Sequence, residues 1–517
     1  MAEEVWMLQT KKADFKQIGA RFRIDPVTAR IIRNRGIEGE AAIDRYLNGT
    51  LDDLYDPMLL KDMECAVSIL CEAVDTGKKI RIVGDYDIDG VCSTYILLQA
   101  FERLGSDVDF EIPDRIKDGY GINESIIEQA HADGVEVILT CDNGISAFHQ
   151  VELAKKYGMT VVITDHHEVP LDGEKEKIPP ADAVIDPKQA DCPYPFPEIC
   201  GAVVTYKLVQ VLYARRGVPQ MEWLDLLEFA AIATVGDVMK LQDENRILVK
   251  YGLKKMAQTK NLGLRRLAEK NNLDLGAITA YHIGFVIGPC LNAGGRLKTA
   301  KEALALLRAQ SEEEAERLAE ELKELNDTRK DMTEQGTEAA KLQVESWYQK
   351  DKVLVVFLPE CHESLAGIIA GRLREYYQKP AIVLTRGEEA VKGSGRSIDE
   401  YHMFKKLTEV SDLLLKFGGH PLAAGLSLEE KNIDEFRRRL NENAGLTEED
   451  FKAKVWIDVP MPVGYVTERL VRELSCLEPF GQGNEKPLFA EKSLRIRASR
   501  VLGRNRNVVK IDRKSVV

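Results

Sequence analysis

The sequence predicts an α/β protein with a doubly wound parallel sheet domain, a long connecting helix, a second, smaller α/β domain and a strand-rich C-terminal segment. Three observations lead to this fold class. Short apolar runs alternate with amphipathic segments from residue 79 to 164, as in parallel sheets. A long, charged, proline-free stretch at 311–345 predicts a solvated connecting helix. A second alternating unit covers 351–397, and the pattern past about 452 becomes short and strand-like.

Each element of the first sheet follows from these patterns. The predicted strands are KIRIVG (79–84), DVDFEI (107–112), VEVILTC (135–141) and MTVVIT (159–164). Helical patterns separate them at 91–104, 123–132 and 147–157. Because ligands of such sheets bind at the carboxyl ends of the strands, we expect functional residues directly after these runs.

The sequence predicts five segments, which together cover the chain except residues 448–452. They are an N-terminal helical region (1–75), the sheet domain (76–300), the connecting helix (301–348), the second α/β domain (349–447) and the strand-rich segment (453–517). The second α/β domain contains predicted strands at 351–357, 381–385 and 391–397, with a helix at 364–376.

Composition narrows the class of protein. The 517 residues are 44% hydrophobic and 30% charged, a balance typical of soluble globular proteins. No apolar run reaches membrane-spanning length, and the polar N-terminus is unlike a secretory signal. Nine cysteines without a Cys-x-x-Cys pair favour a reducing cytoplasm. With a net charge of −13, any nucleic-acid site must be a local basic groove or act through bound metal ions.

Acidic and histidine residues directly follow three of the four strands. They are Asp85, Asp87 and Asp89 after the first strand, Asp142 after the third, and Asp165, His166 and His167 after the fourth. Another acid, Asp237, ends an apolar helical stretch. A single Asp-Gly after a strand is most often a turn. Three acid-rich ends of one parallel sheet, however, would lie along one edge, which predicts a functional site there.

The chemistry of this edge points to metal ions. Carboxylates brought so close repel one another unless cations neutralise them. A mixed Asp and His set suits Mn²⁺ well and also admits Mg²⁺. Two such ions, about 3.5–4 Å apart, can activate water and hold the oxygens of an in-line phosphoryl displacement. The sequence therefore predicts a two-metal phosphoesterase.

The ordered motifs GDYDIDG, CDNGIS, TDHHE and VGD resemble those of the DHH phosphoesterases. The likeness runs from about residue 50 to the end and includes PDRIKDGYGIN (113–123), GPCLNAGGRL (288–297), GSGRS (393–397) and GGHPLAAGLS (418–427). The last is similar to the signature of the family's C-terminal associated domain. Within the family, the chain looks like the bacterial single-strand-specific 5′-to-3′ exonucleases. This implies a DHH-type sheet domain and removal of nucleotides from single-stranded DNA in recombination and repair.

The resemblance also implies a ligand set for two ions. Asp87 would bind one metal ion and Asp89 the other, while Asp142 would bridge both. His166 and Asp237 would complete the second site. The ions would be Mn²⁺ or Mg²⁺, and they would lower the pKa of a water that attacks the phosphorus.

Three neighbouring residues receive supporting roles by the same resemblance. His167 would sit beside the scissile phosphate, where it stabilises charge or aids proton transfer. Asp85 and Asp165 are expected to orient the ligands, with direct ligation left open.

A terminal phosphate site is expected from other motifs. Arg115, Arg296, Ser394 and Arg396 lie in glycine-flanked segments, and guanidinium groups match phosphate oxygens. In similar enzymes the matching residues hold the 5′ phosphate, which would set polarity and exclude internal cleavage. His420 follows a glycine pair that permits a tight turn, and either contacts a phosphate or is a hydrogen-bonded core residue.

The segment from about 453 resembles the beginning of an OB domain for single strands. Only 65 residues remain there, so we expect an incomplete barrel and a truncated chain. A local basic cluster is predicted to bind the strand: Arg495, Arg497, Arg500, Arg504, Arg506 and Lys510.

Other functions stay open at this point. A DHH-family oligoribonuclease or cyclic-dinucleotide phosphodiesterase would share the metal site but usually lacks the long helix and OB segment. A manganese pyrophosphatase would have a histidine where Val83 stands. A non-catalytic single-strand-binding replication factor would not need the whole ligand set. The resemblance further implies a single-strand-binding protein and a helicase as partners, and no membrane.

Overall fold

The computed structural model describes residues 4–115, 119–493, 495–502 and 508–514. The chain forms two compact units. The first consists mainly of Tyr55–Met239 and Tyr251–Ala453, and the second of Val5–Leu54, Lys240–Lys250 and the segment from Lys454 onward. Within the described part, no helix is both long and apolar enough to cross a membrane.

The first unit begins with a five-stranded parallel sheet. Its strands are β1 (Ile80–Val83), β2 (Val108–Glu111), β3 (Val137–Cys141), β4 (Thr160–Thr164) and β5 (Ala183–Ile185). Their order across the sheet is β2-β1-β3-β4-β5, and all neighbouring pairs are parallel. The predicted doubly wound sheet is therefore confirmed, and the three strands that precede acidic residues, β1, β3 and β4, are neighbours.

Helices surround this sheet because apolar strands must be covered on both faces. They are α1 (Met63–Thr76), α2 (Ile88–Arg103), α3 (Glu124–Ala132), α4 (Phe148–Lys156), α5 (Gly201–Arg215) and α6 (Leu227–Gly236). Of these, α2 is buried over most of its length. Further helices follow at Gln220–Leu224, Leu262–Lys270, Ala280–His282 and Lys301–Arg308, with α7 at Gly288–Leu297.

The long helix α8 (Glu312–Gln343) begins at Ser311, whose hydroxyl accepts a hydrogen bond from the backbone of Glu314. The predicted long connecting helix is confirmed, but only one of its faces is solvated. Small and apolar residues recur at helical spacing and are buried: Ala315, Leu318, Ala319 and Leu322. A stripe of this kind packs one face of a helix on the protein, while the charged residues cover the other face.

A second, mixed sheet completes this unit. Its strands are β6 (Leu354–Phe357), β7 (Ala381–Arg386), β8 (Val391–Arg396), β9 (Leu414–His420) and β10 (Ala423–Leu428). The order is β9-β10-β8-β7-β6, with only β6 and β7 parallel. The helix α9 (Ala366–Tyr377) packs beside β7 and β8, and shorter helices lie at Met403–Thr408 and Ile433–Glu442. Gly418 and Gly419, a pair that permits a tight turn, lie within β9.

The second unit combines N-terminal helices with short C-terminal strand pairs. Its helices are Phe15–Phe22, Pro26–Asn34, Glu40–Asn48, the first part of Asp243–Met256, and Glu468–Leu474. Its strand pairs are Glu4–Leu8 with Ala453–Ile457, Val459–Pro460 with Phe489–Ala490, and Arg495–Leu502 with Val508–Lys514. In the described residues these are separate two-stranded sheets rather than one closed barrel.

A buried cation holds this second unit together. The guanidinium of Arg246 lies 3.9 Å from the ring centre of Tyr46. It donates to the backbone carbonyls of Tyr46, Cys476 and Leu477 at 2.8–3.0 Å. These contacts satisfy a charge that would otherwise be costly to bury.

Candidate active site

The carboxyl ends of β1, β3 and β4 bring the acidic residues into one place. Asp85, Asp87 and Asp142 place carboxylate oxygens within 4.8 Å of one another, and so does the set Asp89, His166 and Asp237 with its ligand atoms. A third set joins Asp142 with His166 and His167. Asp142 belongs to two of the sets, so it lies between them.

Asp142 has an unusual backbone. It directly follows β3 with φ at +61°, a left-handed conformation that non-glycine residues rarely adopt. Its amide donates to the carbonyl of Thr164 at 3.0 Å, and the residue is only 2% exposed. Strain of this kind is typical of functional sites, where surrounding contacts hold it.

The N-terminus of α5 holds the carboxylate of Asp89. The backbone amides of Gly201 and Ala202 donate to its two oxygens at 2.7 and 2.8 Å. A side chain at position 201 would not fit, because its Cβ would lie 2.8 Å from the Cβ of Asp142. Glycine is therefore required where the helix meets both acids.

His166 faces the acidic residues with one ring nitrogen. Its Nε2 lies 3.1 Å from Oδ1 of Asp142, 3.4 Å from Oδ2 of Asp89 and 3.8 Å from Oδ2 of Asp237. Burial lowers the pKa of His166, so its neutral form is favoured. Neutral imidazole is the form that binds metal ions.

His167 is held by a different set of contacts. Its Nδ1 lies 2.7 Å from Oδ1 of Asp165, and the hydroxyl of Tyr120 lies 3.1 Å from the same nitrogen. Burial alone would lower the pKa of His167, but the bond to Asp165 raises it to about 9. Asp165 also accepts hydrogen bonds from the amides of Ile145 and His166. It therefore orients the loop that carries both histidines.

The buried carboxylates of the acidic cluster repel one another. Burial raises the pKa of Asp85 and of Asp237 to about 8, and the neighbouring charges of Asp87 and Asp89 respectively add to this effect. Burial and Asp89 also raise the pKa of Asp87 and Asp142. Protonation or bound cations relieve such repulsion.

The donor set fits divalent cations. It contains carboxylate oxygens and one buried imidazole, the ligands that Mn²⁺ accepts and, for the oxygens, those that Mg²⁺ prefers. The structure thus brings together all five predicted ligands: Asp87, Asp89, Asp142, His166 and Asp237. It also places Asp85, expected to orient ligands, among the carboxylates that could hold an ion.

Three arginines form a cationic pocket in the same unit. Arg296 donates to the carbonyl of Ser364 at 3.0 Å, and Arg396 donates to the hydroxyl of Ser394 at 3.1 Å. Burial lowers the pKa of Arg296 to about 10, and the charge of Arg115 adds to this effect. Burial and nearby arginines, including Arg115, likewise lower the pKa of Arg396. The guanidinium groups of this pocket therefore repel one another until an anion binds.

His420 lies apart from this cluster. It pairs with Ala423 across the sheet, and Ala423 pairs with Arg396, so two strand spacings of about 4.8 Å each separate the backbones. The side chain is exposed, and its Nδ1 accepts a weak hydrogen bond from the amide of Leu422 at 3.4 Å. The alternative of a core histidine was wrong.

Some functional contacts were not predicted from sequence. The amides of Gly201 and Ala202 lie more than 110 residues from Asp89, and backbone donors carry no residue signature. The hydroxyl of Tyr120 also contacts His167 and donates to the carbonyl of Asp142. The sequence signal for this contact was the pair of glycines that flank Tyr120, both of which adopt positive φ in the structure.

Family models match three parts of the chain. The DHH family N-terminal domain matches residues 79–234, the DHHA1 domain matches 350–445, and the RecJ OB domain matches 457–515. The first match contains β1 to β5, and the second contains the mixed sheet.

Similar proteins cover nearly the whole chain. The single-stranded-DNA-specific exonuclease RecJ of Bacillus subtilis is 37% identical over 98% of this chain, which spans 64% of that relative's length. RecJ of Haemophilus influenzae is 33% identical over 96% of this chain and 88% of the relative. The crystal structure of RecJ in complex with Mn²⁺ from Thermus thermophilus has a TM-score of 0.83 at 29% identity. That match covers 99% of this chain and 74% of the other. From these matches and the site geometry, the chain belongs to the RecJ family of DHH phosphoesterases.

Proposed function

We propose that this protein is a single-strand-specific DNA exonuclease that uses two Mn²⁺ or Mg²⁺ ions and removes nucleotides from the 5′ end. One observation carries the proposal: a buried carboxylate and histidine cluster and a cationic pocket lie in one unit, and the guanidinium of Arg115 is 4.8 Å from the ring centre of Tyr86, the residue between the first two acids of the motif GDYDIDG. The first suits phosphodiester hydrolysis, and the second suits a terminal phosphate.

The residues of the cluster would share the two ions. Asp87 and Asp142, with Asp85 beside them, would hold one, and Asp89, His166 and Asp237 would hold the other, with Asp142 bridging. When bound, the ions lower the pKa of water and stabilise the oxygens of the phosphodiester. RecJ of Thermus thermophilus has been solved in complex with Mn²⁺ and with Mg²⁺, which supports both choices.

The surrounding residues position this chemistry. The amides of Gly201 and Ala202 fix Asp89, so its oxygens keep one orientation. Asp165 and Tyr120 hold the ring of His167 at the rim of the cluster. A protonated His167 would place a positive charge and a proton donor beside the scissile phosphate.

Polarity would come from the cationic pocket. A 5′-terminal phosphate carries more charge than an internal phosphodiester, so Arg115, Arg296 and Arg396 favour it most. Ser394 adds a hydroxyl donor at the same place. A strand anchored by its 5′ phosphate presents only its first phosphodiester to the cluster, which makes the enzyme an exonuclease. His420 lies two β-strands away from Arg396 and would contact the DNA from the side.

Single-strand preference is supported by an exposed aromatic pair. Tyr281 and Phe285 stack with ring centres 4.8 Å apart, and both are more than 60% exposed. A Cβ at the intervening Gly284 would lie 3.6 Å from a methyl of Val235, two residues before Asp237. The helical stretch continues to Arg296. Unpaired bases can stack on such rings, whereas paired bases cannot turn toward them.

The other functions have less support. A small-substrate phosphodiesterase has no need for the OB segment that a family model matches here. A non-catalytic binding factor has no need for the complete ligand set.

A single-strand-binding protein and a helicase are proposed as partners from the resemblance alone. A cytoplasmic location is proposed because all nine cysteines are free.

The proposal is tested with matched substrates and one variant. The substrates are single-stranded DNA, double-stranded DNA and RNA of one sequence, each with a 5′ phosphate or a 5′ hydroxyl, incubated with Mn²⁺ or Mg²⁺. We expect single-stranded DNA with a 5′ phosphate to be degraded fastest. Arg396→Ala should reduce that preference about 10–100-fold, because a charge-assisted contact is lost. Arg386→Ala, an exposed arginine of the same sheet, is the control. Equal rates on strands with a 5′ phosphate and strands with a 5′ hydroxyl would refute the pocket.

A further inference from the structure

One face of the mixed sheet carries polar residues in three aligned rows. Because directly paired residues share a face and alternate residues of a strand do too, the rows follow from the register. The arginine row is Ala381, Arg396, Ala423 and His420; the glycine row is Val383, Ser394, Gly425 and Gly418; the lysine row is Thr385, Lys392, Ser427 and Lys416. The arginine and glycine rows contain the proposed phosphate ligands Arg396 and Ser394.

The glycine row leaves the sheet bare beside Ser394. A Cβ added at Gly418 or at Gly425 would meet nothing within 4 Å. A cavity of about 470 Å³ lies over this surface. Its lining includes Arg115 and Ser394 of the phosphate pocket and reaches every member of the lysine row. The pocket for the terminal phosphate is therefore continuous with further space on the same sheet.

This further space has the chemistry of an anion site. Three cations line it, Arg115, Lys392 and Lys416, against one carboxylate, that of Glu363. Lys392 lies 2.9 Å from Glu363, whereas the exposed Lys416 has no ion pair among the described residues.

An unpartnered hydroxyl is a second, independent observation. Thr385 is fully buried beneath the cavity, and its Oγ1 has no hydrogen-bond partner within the described part of the chain. Buried polar groups normally have partners, and a ligand in the cavity would supply one for this hydroxyl. Ser427 provides another hydroxyl in the same row.

We propose that the lysine row binds the second and third phosphates of a 5′-triphosphate, so that the enzyme accepts strands with 5′-triphosphate ends. The inference rests on the proposed 5′-phosphate pocket and extends it. Lysine binds phosphate as a point charge and needs no fixed geometry, which suits a flexible chain of phosphates. The net excess of two positive charges in the lining offsets the added negative charge.

The first turnover on such a strand has a defined product. Water attacks the phosphorus that joins the first and second nucleotides, and its oxygen forms the new bond. The bond from phosphorus to O3′ of the first nucleotide breaks, and that oxygen takes up a proton. The released product is an intact nucleoside 5′-triphosphate, and the remaining strand keeps a 5′ phosphate for the next turnover.

The test uses one single-stranded DNA sequence with a 5′ triphosphate, a 5′ monophosphate or a 5′ hydroxyl, together with Mn²⁺. Products of the γ-labelled triphosphate strand are separated by thin-layer chromatography, and kcat/KM is measured for each end. We expect labelled nucleoside triphosphate, with kcat/KM within about threefold of the monophosphate strand. Lys416→Glu should lower the triphosphate-to-monophosphate ratio of kcat/KM at least about tenfold, and Thr385→Val should lower it less. Lys431→Glu, an exposed lysine outside the cavity, should leave the ratio unchanged.

The outcomes separate this inference from the proposed function. If the triphosphate blocks hydrolysis, or if Lys416→Glu and Thr385→Val leave the ratio unchanged, the extended site is refuted while the monophosphate preference stands. If the monophosphate strand is no better than the hydroxyl strand, the proposed 5′-phosphate pocket itself fails.

Discussion

At the residue scale, Asp142 is the centre of the site. It contributes to two of the three ligand sets, and its left-handed backbone is held by the hydrogen bond that its N–H donates to the carbonyl of Thr164. In the proposed arrangement its carboxylate would hold both cations, so its removal would weaken both metal sites. Its loss should therefore exceed the effect of removing a residue that only orients a ligand.

We expect Asp142→Ala to lower turnover by more than about 100-fold, the upper end for an orienting group. The fold should persist, because the removed carboxylate is repelled by Asp89 and Asp87 in the metal-free protein. Turnover with Mn²⁺ checks the loss of activity, and the unfolding temperature in EDTA checks that the fold persists. Asp172→Asn, an exposed acid, is the control. Turnover within tenfold of the wild type would refute the bridging role.

A buried carboxyl remote from the ligand sets gives a prediction on pH. Glu228 is 4% exposed, and one of its oxygens accepts a hydrogen bond from Thr259 at 2.6 Å. Burial raises the pKa of Glu228 from 4.5 to about 7. Below pH 4.5 the group is neutral in both the folded and the unfolded state and costs nothing. As pH rises toward 7, the unfolded chain ionises first, so the folded state loses stability.

Glu228→Gln should remove this loss. The free energy of unfolding of the variant should equal that of the wild type near pH 4.5. It should exceed the wild-type value progressively up to pH 7, by about 3 kcal/mol at most. The difference in unfolding temperature, measured across that range, checks the direction. Glu128→Gln changes an exposed carboxyl and should show no such trend. A constant difference between wild type and Glu228→Gln would contradict the prediction.

At the element scale, the sheets explain what the sequence could predict. The strands β1, β3 and β4 were predicted to within two residues, because each is a buried apolar run bounded by polar residues. Their acidic ends converge because neighbouring parallel strands share one edge. The fifth strand, Ala183–Ile185, was missed because three residues carry too little pattern. The strands β9 and β10 were hidden by their glycines, which weaken strand propensity but leave pairing intact.

The N-terminus of α5 is an element that sequence could not connect to the site. Its two amides bind Asp89 through a contact that depends on how α5 packs on α2. No residue type marks a backbone donor, and the two segments are far apart in sequence. The ligand residues were visible from sequence, whereas the groups that fix one of them appeared only in the structure.

Gly201→Ala tests this contribution of α5. The added Cβ would lie 2.8 Å from the Cβ and 3.1 Å from Oδ1 of Asp142, so Asp142 or the helix must move. We expect a loss of about 10–100-fold in activity, as for other groups that orient metal ligands. Gly371→Ala is the matched control, because a Cβ there meets nothing within 4 Å. Equal activity of the two variants would show that the helix position is not critical.

At the scale of the whole molecule, the chain combines a hydrolytic unit with a second unit that carries the OB match. The predicted basic cluster lies only partly in the described residues. Arg504 and Arg506 are outside them, and the side chains of Arg495 and Arg497 are not described. Arg500 and Lys510 are paired across the last two strands and are exposed. The two residues therefore place adjacent positive charges where single-stranded DNA could contact them.

Charge reversal at this pair tests strand binding. We expect Arg500→Glu with Lys510→Glu to weaken binding of long single strands and to reduce the salt slope of log K by about 1.4, for two lost phosphate contacts. Hydrolysis of very short strands should persist, since the acidic cluster and the phosphate pocket are unchanged. Lys12→Glu with Lys16→Glu makes the same charge change at exposed positions. Parallel salt curves for the two double variants would exclude a role for the pair.

Direction of hydrolysis tests the central claim most directly. One 5′-phosphorylated single strand is labelled either at its 5′ phosphate or at its 3′ end and is incubated with Mn²⁺, with EDTA as the metal-free control. If the pocket anchors the 5′ end, the 5′ label appears at once as mononucleotide, while the 3′-labelled strand shortens stepwise. EDTA should abolish both. Mononucleotide from the 3′ label, internal fragments, or hydrolysis in EDTA would contradict the account.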